Sequence, residues 1–286
     1  MVKKLSELYL EGRKRLAEND DQQIANMTAR NLLCHVTRKP WEHLLADFDS
    51  YATDAVYEAF EAAVTQILAG TPLAYVLGEW DFYGMTLFVN KSVLIPRDDT
   101  CAVTELAITK ALSIENSPRV LDLCTGSGCI GLAVASRVKN ACVTLADISD
   151  DALTVARKNV ADQKLSERVT CVVSDALGEP APLLGTFDVI VSNPPYITAE
   201  EMKQLPDSVK DYEPHLALYG GDDGLDFYRA IAKNYRKALK PGGYLCFEFG
   251  MGQGDDVCRI LEENAYTILE RSRDYNDRER AVLAQC

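Results

Sequence analysis

The chain has 286 residues, 47% of them hydrophobic and 26% charged, which suits a folded protein with one large domain or a large domain and a small companion. A formal net charge of −13 excludes a surface built mainly on lysine and arginine, so nonspecific binding to DNA or RNA is disfavoured and a protein or small-molecule partner is favoured. No apolar run is long enough to span a bilayer, and MVKKLSELYLEGRKRLAEND mixes charges with leucines where a secretory signal would have an uninterrupted apolar core.

Residues 1–75 read as a helical module. LSELYLEGRKRLAE places Leu5, Leu8, Tyr9 and Leu16 near helical spacing. DDQQIANMTARNLLCHVT opens on acidic residues suited to a helix start and carries Ile24, Met27, Leu32 and Val36 on a stripe. TDAVYEAFEAAVTQILAG reads as a third helix ending at Gly70 and Pro72. Trp41, Met27 and the tyrosines read as packing between helices. With no chemistry of its own, the module is expected to recognise a substrate or act as a lid. LAYVLGEWDFYGMTLFVN, punctuated by Gly78 and Gly84, reads as two strands, so residues 76–97 are expected to be a β-hairpin linker.

From residue 98 to 286 short apolar runs alternate with helical ones, from RVLDLCTG and CIGLAVASRV through FDVIVSNPPY to RAVLAQ. That alternation predicts an α/β fold with a doubly wound sheet, with ligands at the carboxyl ends of its strands. The nine cysteines are odd in number and form no CxxC pair; several, such as Cys142 and Cys171, sit in strand-like runs. They are expected to be buried free thiols, which implies a reducing compartment, the cytoplasm. His35, His43 and His215 are too sparse to make a zinc site with them, and no metal is expected.

Two stretches carry chemistry. In LDLCTGSGCIGLAVA, Gly126, Gly128 and Gly131 make G-x-G-x-x-G between a strand and a helix, and Asp147 follows Gly126 by 21 residues, placed to take ribose hydroxyls. A glycine turn without a ligand is the plainer reading, but the strand, the helix and Asp147 weigh against it. An adenosine-containing cofactor is implied, either a nicotinamide dinucleotide or S-adenosylmethionine. Asp122, before the glycines, would repel a pyrophosphate and suits an ammonium and a sulfonium; with Asp175 at the end of the third strand, it favours S-adenosylmethionine. In FDVIVSNPPY, Pro194 and Pro195 stop the strand and stiffen the chain around Asn193. The Asn193 side chain and the Pro194 carbonyl offer two acceptors for the hydrogens of a planar NH2 group, and Tyr196 can stack on a flat amide or base.

Here the chain resembles a known family. Asn-Pro-Pro-Tyr after a strand is similar to the motif of methyltransferases that modify amide or exocyclic amino nitrogens. GTPLAYVLGEWDFYG, VLIPRDDT, YEPHLALYGGDDGLDFYRAI, LKPGGYLCFEFGMGQ and ERAVLA resemble segments of the HemK-type glutamine methyltransferases, over essentially the whole chain. The resemblance implies a class I methyltransferase domain that uses S-adenosylmethionine to methylate the N5 amide nitrogen of the glutamine in the Gly-Gly-Gln motif of class-I peptide chain release factors. It implies cofactor contacts at Asp122, Cys124, Thr125, Gly126, Ser127, Gly128, Asp147, Ile148, Asp175, Ala176 and Asn193, it puts the IPRDDT segment at the border of the cofactor pocket, and it seats the glutamine on Asn193, Pro194, Pro195 and Tyr196. A ribosomal protein, or a nucleic acid with a flipped base, is the alternative substrate. A monomer with no stable nucleic-acid or membrane partner is expected. Cys124 stands where the family usually has glycine and is expected to keep φ below zero. Asp98 stands where proline is common, Cys101 where glutamate is, and Ala176 is smaller than the bulky residue sometimes found there. No base is needed before transfer, and His215 is expected only to pack its loop.

Overall fold

A computed structural model describes residues 3–286, which divide into two compact units. One ends at Gly78 and takes in Asp207–Tyr212; the other comprises Glu79–Pro206 and Glu213–Cys286.

The first unit is helical, with Leu5–Leu16, Gln22–Thr37, Trp41–Ala46, Asp54–Leu68 and Leu73–Leu77. The Asp21 carboxylate caps the second helix at the Gln23 amide (2.7 Å), and Thr53 caps the fourth. Leu8, Leu16, Leu32, Leu33, Leu44 and Phe60 form the core. Gly12 lets the first and fourth helices close, because a Cβ there would stand 2.7 Å from the Phe60 ring. The stripe expected on the second helix is displaced. Ile24 and Met27 are 48% and 52% exposed, and the buried face is Ala25, Thr28, Ala29, Leu32 and Leu33, where small residues admit a close neighbour. Trp41 does pack between Tyr9 and Phe48. Leu73–Leu77 is a helical turn rather than a strand, entered at Pro72 and closed by Gly78 in the left-handed region (φ 70°).

The second unit begins with a hairpin, β1 (Glu79–Phe82) and β2 (Met85–Phe88), turned at Tyr83 and Gly84, both with positive φ. Then come β3 (Arg119–Leu123), β4 (Cys142–Asp147), β5 (Val169–Val173), β6 (Phe187–Ser192), β7 (Leu239–Glu248), β8 (Thr267–Arg273) and β9 (Glu279–Gln285). They form one sheet in the order β5-β4-β3-β6-β7-β9-β8. β5 to β7 run parallel, while β9 is antiparallel to both its neighbours. Chain order reverses between β3 and β6, and a doubly wound sheet opens its ligand crevice at that point. Helices Cys101–Leu112, Cys129–Arg137 and Asp150–Asp162 cover one face; Asp226–Asn234 and Gly254–Glu263 cover the other over Tyr228, Tyr235 and Phe247. β3 and β6 are buried on both faces, which accounts for their near-continuous apolar sequences. The nine cysteines are unpaired, but not all are buried: Cys101, Cys129 and Cys246 are, whereas Cys142 is exposed and Cys171 only half-buried. No described helix is long and apolar enough to cross a membrane.

Candidate active site

β3 delivers the chain to a five-residue loop, Cys124 to Gly128, before helix Cys129–Arg137. Cys124, Gly126 and Gly128 have φ of 61°, 54° and 85°. The expectation of negative φ at Cys124 is therefore corrected: a loop this tight needs the left-handed conformation there, and the side chain carries the strain a glycine would avoid. The loop is tied on both sides. Thr125 and Gly126 donate their amides to the Ala146 carbonyl (3.0 Å) and to Asp147 Oδ2 (2.8 Å) at the end of β4. Asp147 Oδ1 accepts from the Ser149 amide (3.0 Å), and because a carboxylate can accept about four hydrogen bonds, Asp147 keeps acceptor capacity beyond its backbone partners.

Asp122 does not line the cavity, contrary to the sequence reading. It is fully buried beneath the loop, where Oδ2 accepts from Thr125 Oγ1 (2.5 Å) and the Gly131 amide (2.9 Å). Burial pushes its carboxyl up to about 7. Its side chain braces the loop. Gly131 belongs to the same brace, since a Cβ would stand 2.2 Å from Leu145 and 3.1 Å from Asp122.

Above the loop is a cavity of about 340 Å³ at the β3–β6 crevice, a size typical of small-molecule sites. Of the residues singled out in the sequence, Cys124, Thr125, Gly126, Ser127, Asp147, Ile148, Asp175, Ala176, Asn193 and Pro195 line it. Asp122, Gly128, Pro194 and Tyr196 do not, nor does His215. Gly128 lies behind the wall, where its amide closes the turn on the Thr125 carbonyl (2.8 Å). The lining fits S-adenosylmethionine. A Cβ at Gly126 would meet nothing within 4 Å, so the backbone there faces open space. Ser127 Oγ is buried without a protein partner. The wall's carboxylates are Asp147 and Asp175, and its one cation, Arg97, is paired with buried Glu213. That balance suits a cationic ligand better than a pyrophosphate. Ile148, 47% exposed, supplies an apolar face, and the Asp175–Ala176 corner is fixed by Tyr235, whose hydroxyl donates to the Asp175 carbonyl (2.9 Å).

β6 delivers the second stretch to the same cavity. Ser192 Oγ donates to the Leu123 carbonyl (2.6 Å), fastening the ends of β6 and β3 together. Asn193 Nδ2 donates to Thr100 Oγ1 (3.2 Å), another lining residue. Pro194 and Pro195 are buried. Tyr196 packs into the core rather than onto the cavity wall, and burial raises its hydroxyl pKa. Its carbonyl accepts from Gln253 Nε2 (3.1 Å). The chain leaving the turn is met by its own return leg: the Ile197 amide donates to the Leu218 carbonyl and the Gly220 amide to the Ile197 carbonyl, both at 2.9 Å.

The sequence reading missed Glu213, Asn159 and Glu248; Arg97 and Thr100 lie in IPRDDT, the segment that the resemblance put at the border of the cofactor pocket, and both line the cavity. Asn159, on the apolar face of its helix, donates to the carbonyls of Ser127 (2.9 Å) and Phe88 (3.0 Å) and so clasps the loop. Its signal was a polar residue among buried neighbours; Glu248, a charge within CFEFG, had the same one.

A family model described as Methyltransferase small domain matches residues 101–208, and one described as PrmC N-terminal domain matches residues 7–78. The chain is 42% identical over 213 residues to a release factor glutamine methyltransferase of Clostridium acetobutylicum, covering 74% of each. A protein of the same description from Chlorobaculum tepidum is 39% identical over 267 residues, 91% of this chain and 90% of that one. The bifunctional methyltransferase of Rickettsia typhi is 35% identical over 276 residues, and the chain spans about half the length of that relative (53%). Among solved structures, a methyltransferase from Pyrococcus furiosus shares the fold with a TM-score of 0.50 at 18% identity, over 77% of this chain and 96% of that one.

Proposed function

The chain belongs to the family of release factor glutamine methyltransferases, and from that premise we propose that it methylates the N5 amide nitrogen of the Gly-Gly-Gln glutamine in class-I peptide chain release factors. The observation that carries the reading is that the glycine loop and Asn193 open onto one cavity.

S-adenosylmethionine, the family's methyl donor, would supply an electrophilic methyl group whose C–S bond breaks as the new N–C bond forms, leaving a neutral thioether. The chain's part is to hold and aim. The remaining acceptor capacity of Asp147 would receive ribose hydroxyls. Thr125 to Ser127 bring backbone close to the methionyl end, and Ile148 with the Asp175–Ala176 corner borders the adenine. Asn193 Oδ1, on the cavity wall, and the carbonyl of the next residue, Pro194, which is buried outside the cofactor cavity's lining, would accept the two hydrogens of the glutamine NH2. This draws the nitrogen lone pair out of amide resonance and toward the methyl group, and it stabilises positive charge as the new bond forms. The surplus proton leaves afterwards, so no histidine is required as base. Pro195 and Tyr196 hold the turn that presents Asn193. The helical unit carries substrate recognition, and the protein works as a monomer in the cytoplasm, which the unpaired cysteines support.

The test is transfer of a labelled methyl group from S-adenosylmethionine to a purified class-I release factor, beside a copy whose Gly-Gly-Gln glutamine is replaced. Label on the first alone is the expected result. Label on both, or on neither while the cofactor binds, overturns the assignment of substrate.

A further inference from the structure

Glu248 ends β7 in the run Leu245-Cys246-Phe247, only 2% exposed, and the chemistry above does not use it. A carboxylate placed there is costly unless it is held by hydrogen bonds. Ser192 and Phe247 are register partners on parallel β6 and β7, so Asn193 and Glu248 follow one step beyond the last pair. Thr100 and Asn193 stand close enough to the Glu248 carboxylate to favour its ionised form, while Oε2 has no hydrogen-bond partner. Thr100 Oγ1 in turn accepts from Asn193 Nδ2 at 3.2 Å.

Resting on the reading that Asn193 seats the substrate amide, we propose that Glu248 is a positioning residue which, with Thr100, fixes the end of the Asn193 amide that faces the cavity. The argument is donor–acceptor arithmetic. An ionised carboxylate can only accept. Thr100 has one hydroxyl proton; given to Glu248, it leaves Oγ1 free to accept from Asn193. Both hydrogens of the Asn193 NH2 then have acceptors on the protein side, and Oδ1 is left for the substrate. With Glu248 protonated the order can invert, because its new O–H is a donor that competes for Oδ1 and lets the amide turn its NH2 toward a substrate NH2, where two donors meet.

Burial pushes the Glu248 carboxyl up to about 7, against the opposing effects of Thr100, the charge of Arg280 and Asn193. Of the groups facing it, none other titrates near neutrality, and Asp122, also raised to about 7, lies beneath the glycine loop and is told apart by the Glu248→Gln variant below. Arg280 is balanced by Asp99 (3.0 Å) and Asp274 (3.3 Å), and Tyr228 donates to the Glu248 backbone carbonyl, not the carboxylate. Tyr196, Tyr228, Cys101 and Cys129 all have raised pKa values, so they stay protonated through neutrality.

The experiment follows the Asn193 side-chain NH2 by NMR in asparagine-labelled protein bound to S-adenosylhomocysteine, with the signal assigned through its loss in Asn193→Asp. In the wild type the pair should titrate once, with a midpoint near 7. In Glu248→Gln it should not titrate between about pH 5.5 and 8.5. Methyl transfer by Glu248→Gln should fall at least about tenfold, with cofactor affinity by calorimetry unchanged and the acid limb of the wild-type pH profile gone. Thr100→Ser should rescue turnover that Thr100→Val loses. A wild-type NH2 pair that does not titrate, or wild-type turnover in Glu248→Gln, overturns the proposal. A titrating Asn193 in a protein that leaves the release factor unlabelled supports this network and sinks the substrate assignment instead.

Discussion

Asn193 is where the chemistry concentrates, because one side chain both lines the cavity and is aimed from behind. Asn193→Ala should lower kcat by about 100-fold or more, the scale of losing one preorganised polar contact to developing charge, with little change in cofactor affinity by calorimetry. Cys124 is a different case, a residue of the cavity wall whose left-handed backbone costs stability. Cys124→Gly should relieve left-handed strain of about 1–2 kcal/mol against the added chain entropy of glycine, for a net gain of a few tenths to about 1 kcal/mol in denaturant melts. Asp147 and Asn193 were legible in the sequence because each directly follows or ends an apolar strand run. Asp122 was misread for the same reason: a carboxylate at a strand end can point up at a ligand or down under the loop, and spacing does not separate the two. The resemblance put IPRDDT at the pocket border, but only the fold brings Thr100 of that segment to Asn193.

The element that governs the Asn193 turn is the return leg ending at Gly220. A Cβ at Gly220 would stand 2.6 Å from the Pro195 carbonyl oxygen and from the Tyr196 Cα, both backbone atoms that cannot swing away. Gly220→Ala should therefore cost about 1–3 kcal/mol in thermal or chemical melts and lower turnover more than cofactor binding, because it shifts the turn and not the glycine loop. A stable variant with normal turnover would show that the return leg is dispensable. The strands were legible as elements because short apolar runs bounded by turn residues have few other uses. Leu73–Leu77 was not, since five apolar residues fit a strand or a helical turn equally well; Pro72 before it and Gly78 after it were the deciding signals. Helix Cys101–Leu112 was passed over because it is buried almost all round and shows no amphipathic stripe.

Across the molecule, Asp122 and Glu248 both have carboxyls raised to about 7 by burial. The unfolded chain releases these protons at ordinary carboxylate pKa values, whereas the folded chain holds them longer. Their contribution is thus fully present below the unfolded pKa values and is lost as pH rises toward 7. Melting temperature should fall over that window, and Glu248→Gln should be the more stable protein at pH 8, by up to about 3 kcal/mol. Glu248→Gln melting below wild type at pH 8 would contradict this. Because transfer needs Glu248 ionised, activity should rise over the same window in which stability declines, a trade common at functional sites. The doubly wound plan was legible from the alternation of elements. The antiparallel pairings of β9 were not, because alternation says nothing about strand direction.

Leu123 and Ser192 are register partners on neighbouring parallel strands, and the glycine loop and the Asn193 turn leave the sheet at the very next residues. Their points of departure are therefore one strand spacing apart, about 4.8 Å. Peptide geometry sets that interval, and no side chain does. Mutation can reshape either loop but cannot lengthen the gap between their roots without breaking the ladder. The sheet acts as a gauge block: the offset between the two seats is machined into the backbone before any ligand arrives.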